Sequence, residues 1–498
     1  MRVYMLGWEF PPVIAGGLGT ACAGLTRSLV NQGHEVTFVL PQPIPPGHSS
    51  HVNLIGPRVL RERIERLESS STHSAPEGAT RPAGPNDPLP DADPDEDASI
   101  QTPRPSERPI GGTLPSSYPG VDASDALRRV VDLIHETSVR GGSGRGRRAV
   151  PGAAGADPVI GGLAAESASM LAGAMRDALA SIGELGTGSG GYSADLFADA
   201  ERYARLACAL AIHERFDVIH AHDWLSYHAG VAVRALTGKP LVCHIHATEF
   251  DRSGEHINQG VYEIERMGMH AADRVIAVSR LTKAIVNTRY GVPDEKIDVV
   301  YNGVEQFEAQ PEEGAAIEKD ERIILFLGRI TMQKGPEYFI RAAKRVLEIE
   351  EKVKFVVAGS GDMAVRMIEE AAALGIGHKV LFTGFLRGRD VDRVYAMADC
   401  YVMPSVSEPF GIAPLEAMRN NTPVIVSKQS GVSEVLTHAL KVDFWDTDEM
   451  ANMIVAVLRY PQLGNTLRER GRFELRGLSW DGAAEKCVKV YGRAIAGL

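Results

Sequence analysis

Residues 405–418 read SVSEPFGIAPLEAM, and how this stretch folds decides how the whole chain is read. It follows the apolar run Tyr401-Val402-Met403-Pro404, which predicts a short buried strand, and it leads into a helical pattern through Leu415, Ala417 and Met418. Strand, polar turn and helix form the unit with which an α/β sheet presents a ligand site. Gly411 gives the turn conformational freedom, and Pro414 suits the first turn of a helix, where its missing N–H would be unpaired anyway. The N–H groups of Gly411, Ile412 and Ala413 are then expected at a helix start, which favours an anion such as phosphate. Glu408 and Glu416 flank them, and carboxylates, which only accept, suit sugar hydroxyls, which donate. Taken alone, the pair is as readily a helix cap and a surface glutamate, so the rest of the chain has to choose.

The 498 residues are enough for two or three domains. With 44% hydrophobic and 23% charged residues the composition is that of a globular protein. A net charge of −11 argues against general nucleic-acid binding. No apolar run is long enough to cross a bilayer and no signal-peptide pattern opens the sequence, so a cytoplasmic location is expected, with peripheral membrane contact left open. Cys22, Cys208, Cys243, Cys400 and Cys487 are scattered and odd in number, which fits buried thiols better than disulfides or a zinc knuckle.

Residues 3–6, 18–32 and 36–40 read as strand, amphipathic helix and strand, the opening of a doubly wound sheet. The intervening loop, GWEFPPVIAGGLG (7–19), places Gly16, Gly17 and Gly19 just ahead of the helix, where backbone can approach a ligand closely. It is neither a dinucleotide fingerprint nor a P-loop, because the third glycine and the Gly-Lys pair are missing. Residues 69–119 hold 11 prolines, so residues 66–190 are expected to be a low-complexity, partly disordered insertion.

Beyond it, two predicted strands carry H-x-H, as His220/His222 and His244/His246, each pair on one face by the two-residue period. Such pairs can hold a metal, can place His246 in a polar pocket, or can be core histidines; the polar loops that follow favour the pocket. After a Glu-rich linker a second strand–helix alternation begins at Ile323. Its first loop, GRITMQKG (328–335), carries Arg329 and Lys334, a fork and a point charge that together can neutralise a diphosphate. This loop, the loop at Gly359, the turn at Phe385 and the stretch 408–416 all follow strands, so they are expected on one rim.

The motifs GWEFPPVIAGGLG, HAHDW, HIHATEFDRSG, GRITMQKG and E-x7-E in EPFGIAPLE resemble those of the retaining glycosyltransferases of the two-Rossmann-domain (GT-B) type, in the group that contains glycosyltransferase family four and the glycogen and starch synthases. The resemblance covers about residues 1–60 and 195–498. It implies an α/β fold of two Rossmann-like doubly wound domains with a cleft between them. The first, residues 1–306, would be the acceptor domain, interrupted by the insertion at 66–190. Residues 307–475 would bind the nucleotide-sugar, and 476–498 would be a helix crossing back to the first domain.

It also implies that Arg329 and Lys334 hold the diphosphate with the N–H groups of Gly411 and Ile412. Glu416 would bind the ribose hydroxyls, Glu408 the transferred sugar and Phe385 the base. His246 would meet the donor sugar from the first domain, Asp223 would be an acceptor-side residue, and Gly16 and Gly17 would close over the phosphates. His246, Arg329, Lys334 and Glu408 would carry the catalysis.

The implied reaction is transfer of a hexose, glucose by preference, from ADP- or UDP-glucose to a sugar or glucan hydroxyl, with no cofactor and no metal. The alternatives are an epimerase or hydrolase acting on nucleotide-sugars, and a non-catalytic sugar-nucleotide binding protein. Ile14-Ala15-Gly16-Gly17-Leu18 lacks the lysine of the synthases' K-T-G-G-L, and EPFG replaces their EPCG, which leaves sugar and acceptor open.

Overall fold

The computed structural model describes residues 1–11, 16–44, 50–72, 195–305 and 321–498. Nearly all of the insertion expected at 66–190, and most of the linker before Glu321, lie outside these residues. The described residues up to 63 and from 195 onward belong to one compact unit.

Seven strands form the first sheet: β1 (Arg2–Leu6), β2 (Glu35–Val39), β3 (Asn53–Ile55), β4 (Val218–His222), β5 (Leu241–Ile245), β6 (Arg274–Ala277) and β7 (Ile297–Val299). Their order is β3-β2-β1-β4-β5-β6-β7, and every pairing is parallel. β4 and β5 are buried along their whole length, as expected for strands covered by helices on both faces.

The second sheet contains β8 (Arg322–Leu327), β9 (Val353–Ala358), β10 (Val380–Gly384), β11 (Cys400–Met403), β12 (Val424–Ser427) and β13 (Leu440–Val442), ordered β10-β9-β8-β11-β12-β13 and again parallel throughout. In both sheets the chain winds outward from one central strand and then returns to its other side. The crevices for ligands therefore lie where β1 meets β4 and where β8 meets β11.

The final helix, Trp480–Ala496, packs in the core of the first sheet, with Trp480, Ala484, Cys487 and Tyr491 buried beside Leu25 and Leu29. Gly24, in the helix Gly17–Asn31, makes the approach possible, since a Cβ there would lie 2.3 Å from the Trp480 indole. The five cysteines are all buried and free. Among the described residues no helix is long and apolar enough to cross a membrane.

Candidate active site

β11 ends in the buried Met403, and the chain turns through residues 404–412 into the helix Ala413–Arg419. Gly411 sits at φ 103°, a conformation closed to most side chains, and brings the turn back over Met403 and Glu408. None of the N–H groups of Gly411, Ile412 and Ala413 makes a hydrogen bond among the described residues. The helix has only seven residues, so these are individual donors rather than the end of a large dipole.

The loop after β8 reaches the same place. Residues Met332–Lys334 form a 3-10 turn, and Gly335, at φ 63°, lies so close to the Pro404 carbonyl that a Cβ would be 2.2 Å from its oxygen. This contact carries Lys334 to Glu408: Nζ donates to Oε2 at 2.6 Å, and Ser405 Oγ donates to the same oxygen at 3.2 Å. Glu408 is buried, and its own N–H donates to Gln429 at the end of β12. Two side chains expected on different parts of one ligand are thus each other's partner, in a half-enclosed ion pair.

Arg329, in the same loop, is exposed and makes no ion pair among the described residues. Glu416 accepts from the Tyr395 hydroxyl at 3.2 Å, and burial raises its pKa above the usual carboxylate range. Phe385 follows β10, is 59% exposed, and is covered on one face by the Arg387 guanidinium, 5.3 Å from the ring centre. Arg329, Lys334, Phe385, Glu408, Gly411, Ile412 and Glu416 therefore all lie on or just past the carboxyl ends of β8, β10 and β11.

In the first sheet the expected glycine loop is different. The helix begins at Gly17, so Gly17 and Gly19 belong to its first turn and only Gly16 precedes it. The Gly19 N–H donates to Glu9 Oε2 at 3.1 Å, and Glu9 lies against Gly16, where a Cβ would be 2.4 Å from the same oxygen. A carboxylate of the chain itself thus sits at this helix start, and nothing in the spacing of the glycines signals it.

Asp223 and His246 end β4 and begin the loop after β5. Asp223 has φ 57°, a conformation that costs a non-glycine residue about 1–3 kcal/mol and is tolerated where surrounding contacts enforce it. The contacts are present: Asp223 Oδ1 accepts the N–H of His246 at 2.6 Å and that of Ala247 at 3.4 Å. Burial pushes the carboxyl up to about 7 despite these bonds. One oxygen of the expected acceptor-side residue is therefore committed to holding the His246 loop.

The loop is also gripped from below. Thr248 and Asp251 form a reciprocal capping box, Arg252 donates to the Ala247 carbonyl at 2.9 Å and pairs with Glu249 and Glu265, and Ser253 binds Glu249. Ser407, from the β11 loop, donates to Asp251 Oδ1 at 2.6 Å and ties the two rims together.

The four histidines are stacked in two layers. His220 Nε2 lies 3.1 Å from His244 Nδ1, and His222 Nδ1 lies 2.9 Å from His246 Nε2. The layers stack at 4.2 Å between ring centres. Ring nitrogens of His220, His222 and His244 come within 4.8 Å of one another, the spacing of a metal site. His220 Nε2 and His244 Nδ1 are engaged with each other, which leaves the Nε2 atoms of His222 and His244 as the buried ring nitrogens of this group without a partner among the described residues. Burial pushes His220 and His246 down to about 3 and lowers His222 and His244 well below the ordinary value, so all four are neutral.

Two parallel sheets, each with its switch-point loops turned to a shared cleft, define a GT-B scaffold. The first-sheet residues 2–65 match the starch synthase catalytic domain, 191–306 match Glycosyltransferase Family 4, and 308–473 match Glycosyl transferases group 1. An uncharacterized glycosyltransferase of Methanocaldococcus jannaschii is 34% identical over 296 residues, 56% of this chain and 75% of the relative. A D-inositol 3-phosphate glycosyltransferase of Mycobacteroides abscessus is 29% identical over 309 residues, 58% of this chain and 69% of that one.

Sucrose-phosphate synthase from Thermosynechococcus elongatus shares the fold over 100% of both chains, with 18% identity and a TM-score of 0.59. So does HepE of Anabaena, solved with UDP and glucose, over 98% of both chains, with 15% identity and a TM-score of 0.57. The chain belongs to the GT-B glycosyltransferases related to family four and the starch and glycogen synthases.

Proposed function

We propose that the chain is a retaining glycosyltransferase that moves a hexose, glucose by preference, from a nucleotide diphosphate sugar to a sugar or glucan hydroxyl, as a glycogen synthase does. The observation that carries this reading is the Lys334–Glu408 pair at the β8/β11 switch point, on a rim shared with the exposed Arg329 and three N–H donors that have no partner among the described residues. A nucleotide diphosphate satisfies every part of that set. The binding of UDP and glucose by HepE, which shares the fold, supports UDP-glucose as the donor; ADP-glucose is the other candidate.

In this reading Lys334 and Arg329 face the diphosphate with the Gly411 and Ile412 N–H groups, and Glu408 takes hydroxyls of the transferred sugar. Glu416 binds the ribose, Phe385 stacks on the base, and His246 reaches the sugar from the first domain. Gly16 and Gly17 border the phosphates, and the second oxygen of Asp223 meets the acceptor. The acceptor oxygen forms a bond to the anomeric carbon as the bond from that carbon to the diphosphate oxygen breaks. The departing diphosphate takes the acceptor's proton on the face it leaves, so configuration is retained and no protein base is required. Arg329, Lys334 and the fixed N–H groups stabilise the charge that develops on the leaving group, without a metal ion. Closure of the cleft keeps water from acting as acceptor.

Incubation of the purified chain with UDP-glucose or ADP-glucose and a panel of sugars and glucans tests the reading. An α-linked product whose formation depends on the acceptor supports it. Free or isomerised sugar formed at the same rate without acceptor would instead mark an epimerase or hydrolase.

A further inference from the structure

Tyr491, buried in the final helix, places its hydroxyl 2.6 Å from His220 Nδ1, and no other partner among the described residues meets that hydroxyl. A buried O–H needs an acceptor, so it donates, and His220 must carry its proton on Nε2. Nε2–H then donates to His244 Nδ1, which leaves the His244 proton on Nε2, an atom without a hydrogen-bond partner. The ring next to it is His222, 5.3 Å away between centres, whose Nε2 is likewise buried and unpartnered.

If His222 also carried its proton on Nε2, two buried N–H groups of this cluster would lack an acceptor, an arrangement that native interiors avoid. With the proton on Nδ1, His222 leaves only a lone pair unpartnered, which costs less than a buried N–H, and donates to His246 Nε2 instead. His246, half-buried where the other three are buried, is then left with its proton on Nδ1, which has no partner among the described residues.

We propose that His222 is a positioning residue that fixes the tautomer of His246, so that His246 presents an Nδ1–H donor, and not a lone pair, to the cleft. His222 and Asp223, neighbours at the end of β4, thus hold one residue twice: His222 by its ring and Asp223 by its main-chain N–H. A donor of this kind matches an oxygen of the transferred sugar, and that assignment rests on the placing of His246 at the donor sugar proposed above. His246 acts as a fixed, neutral donor and does not exchange a proton during transfer.

The test is long-range proton–nitrogen correlation on the full chain labelled with 15N-histidine, with His246 assigned through His246→Gln. The parent is expected to show His246 protonated on Nδ1. His222→Asn, whose amide can still donate to His246 Nε2, should keep that state; His222→Leu should lose it and lower kcat/KM for UDP-glucose roughly tenfold, the worth of one hydrogen bond. Tyr491→Phe, which removes the first donor of the run, should mix the two tautomers and provides a milder variant if His222→Leu folds poorly. A parent His246 protonated on Nε2, or a folded His222→Leu with unchanged tautomer and unchanged turnover, overturns the proposal. His246→Ala with parental UDP-glucose turnover would instead remove His246 from the donor sugar, and the tautomer measurement would still decide the role of His222.

Discussion

At the β8/β11 switch point Lys334 pairs with Glu408 on a rim that also carries the exposed Arg329 and three N–H groups without a partner among the described residues, whereas the loops of the first sheet offer the neutral His246, the raised-pKa carboxyl of Asp223 and the Glu9 carboxylate. The two crevices have the same topology and different electrostatics: the second carries Lys334 and Arg329, the first imidazole and carboxyl groups. In the proposed reaction one repeated architecture divides the work between its two crevices. In that proposed reaction the basic crevice suits a diphosphate that gains charge as it leaves, and the imidazole and carboxyl groups of the first suit hydroxyls that must be oriented.

The largest effect is expected where charge is removed from the second crevice. Lys334→Ala should lower transfer from UDP-glucose by about 10²–10³-fold. It also strands Glu408, so thermal unfolding should shift by the equivalent of about 2 kcal/mol. Adding Glu408→Gln should recover most of that stability and none of the activity; recovery of turnover in the double variant would show that the pair is structural only.

Gly359, at φ 143°, comes next. A Cβ there would lie 1.9 Å from the Gly328 carbonyl oxygen at the root of the Arg329/Lys334 loop. Gly359→Ala is expected to cost about 2–3 kcal/mol in denaturant unfolding and to weaken UDP binding along with it.

In the first crevice the sensitive variable is pH. Asp223 has a folded-state pKa of about 7 against an ordinary 3.8, so the native state holds the extra proton between these values. The contribution of this group to stability is therefore fully present below about pH 4 and is lost as pH rises through about 7. Asp223→Asn should flatten that part of the stability–pH curve while its amide oxygen still accepts from His246. An unchanged slope would mean that the carboxyl titrates normally.

The smallest effect belongs to the link between the rims: Ser407→Ala should cost about 1 kcal/mol, seen as a modest fall in melting temperature and a rise in KM.

The strand–turn–helix at 400–419 and the loop at 328–335 were legible in the sequence because each is local: an apolar run, a glycine at a turn, a proline at a helix start. Their meeting was legible only through the rule that ligand loops gather at the carboxyl ends of parallel strands. That Lys334 and Glu408, 74 residues apart, touch follows from β8 lying beside β11, a pairing that no periodicity encodes. The Ser407–Asp251 bond and the His222–His246 layer are non-local in the same way.

Asp223 hid for another reason. Its left-handed backbone is ordinarily announced by glycine, and here it is enforced by hydrogen bonds to a loop 23 residues away. Glu9 hid because the glycines beside it suggested a ligand where the chain supplies its own carboxylate. Short strands such as β3 and β13, three residues each, carry too few residues for alternation to register.

The division of labour between the crevices can be measured directly by calorimetric titration of UDP and of UDP-glucose into the parent, Lys334→Ala and His246→Ala chains. Lys334→Ala should weaken UDP itself by at least about tenfold, whereas His246→Ala should leave UDP unchanged and weaken only the added contribution of glucose. Equal loss of UDP binding in both variants, or full UDP affinity in Lys334→Ala, would contradict it.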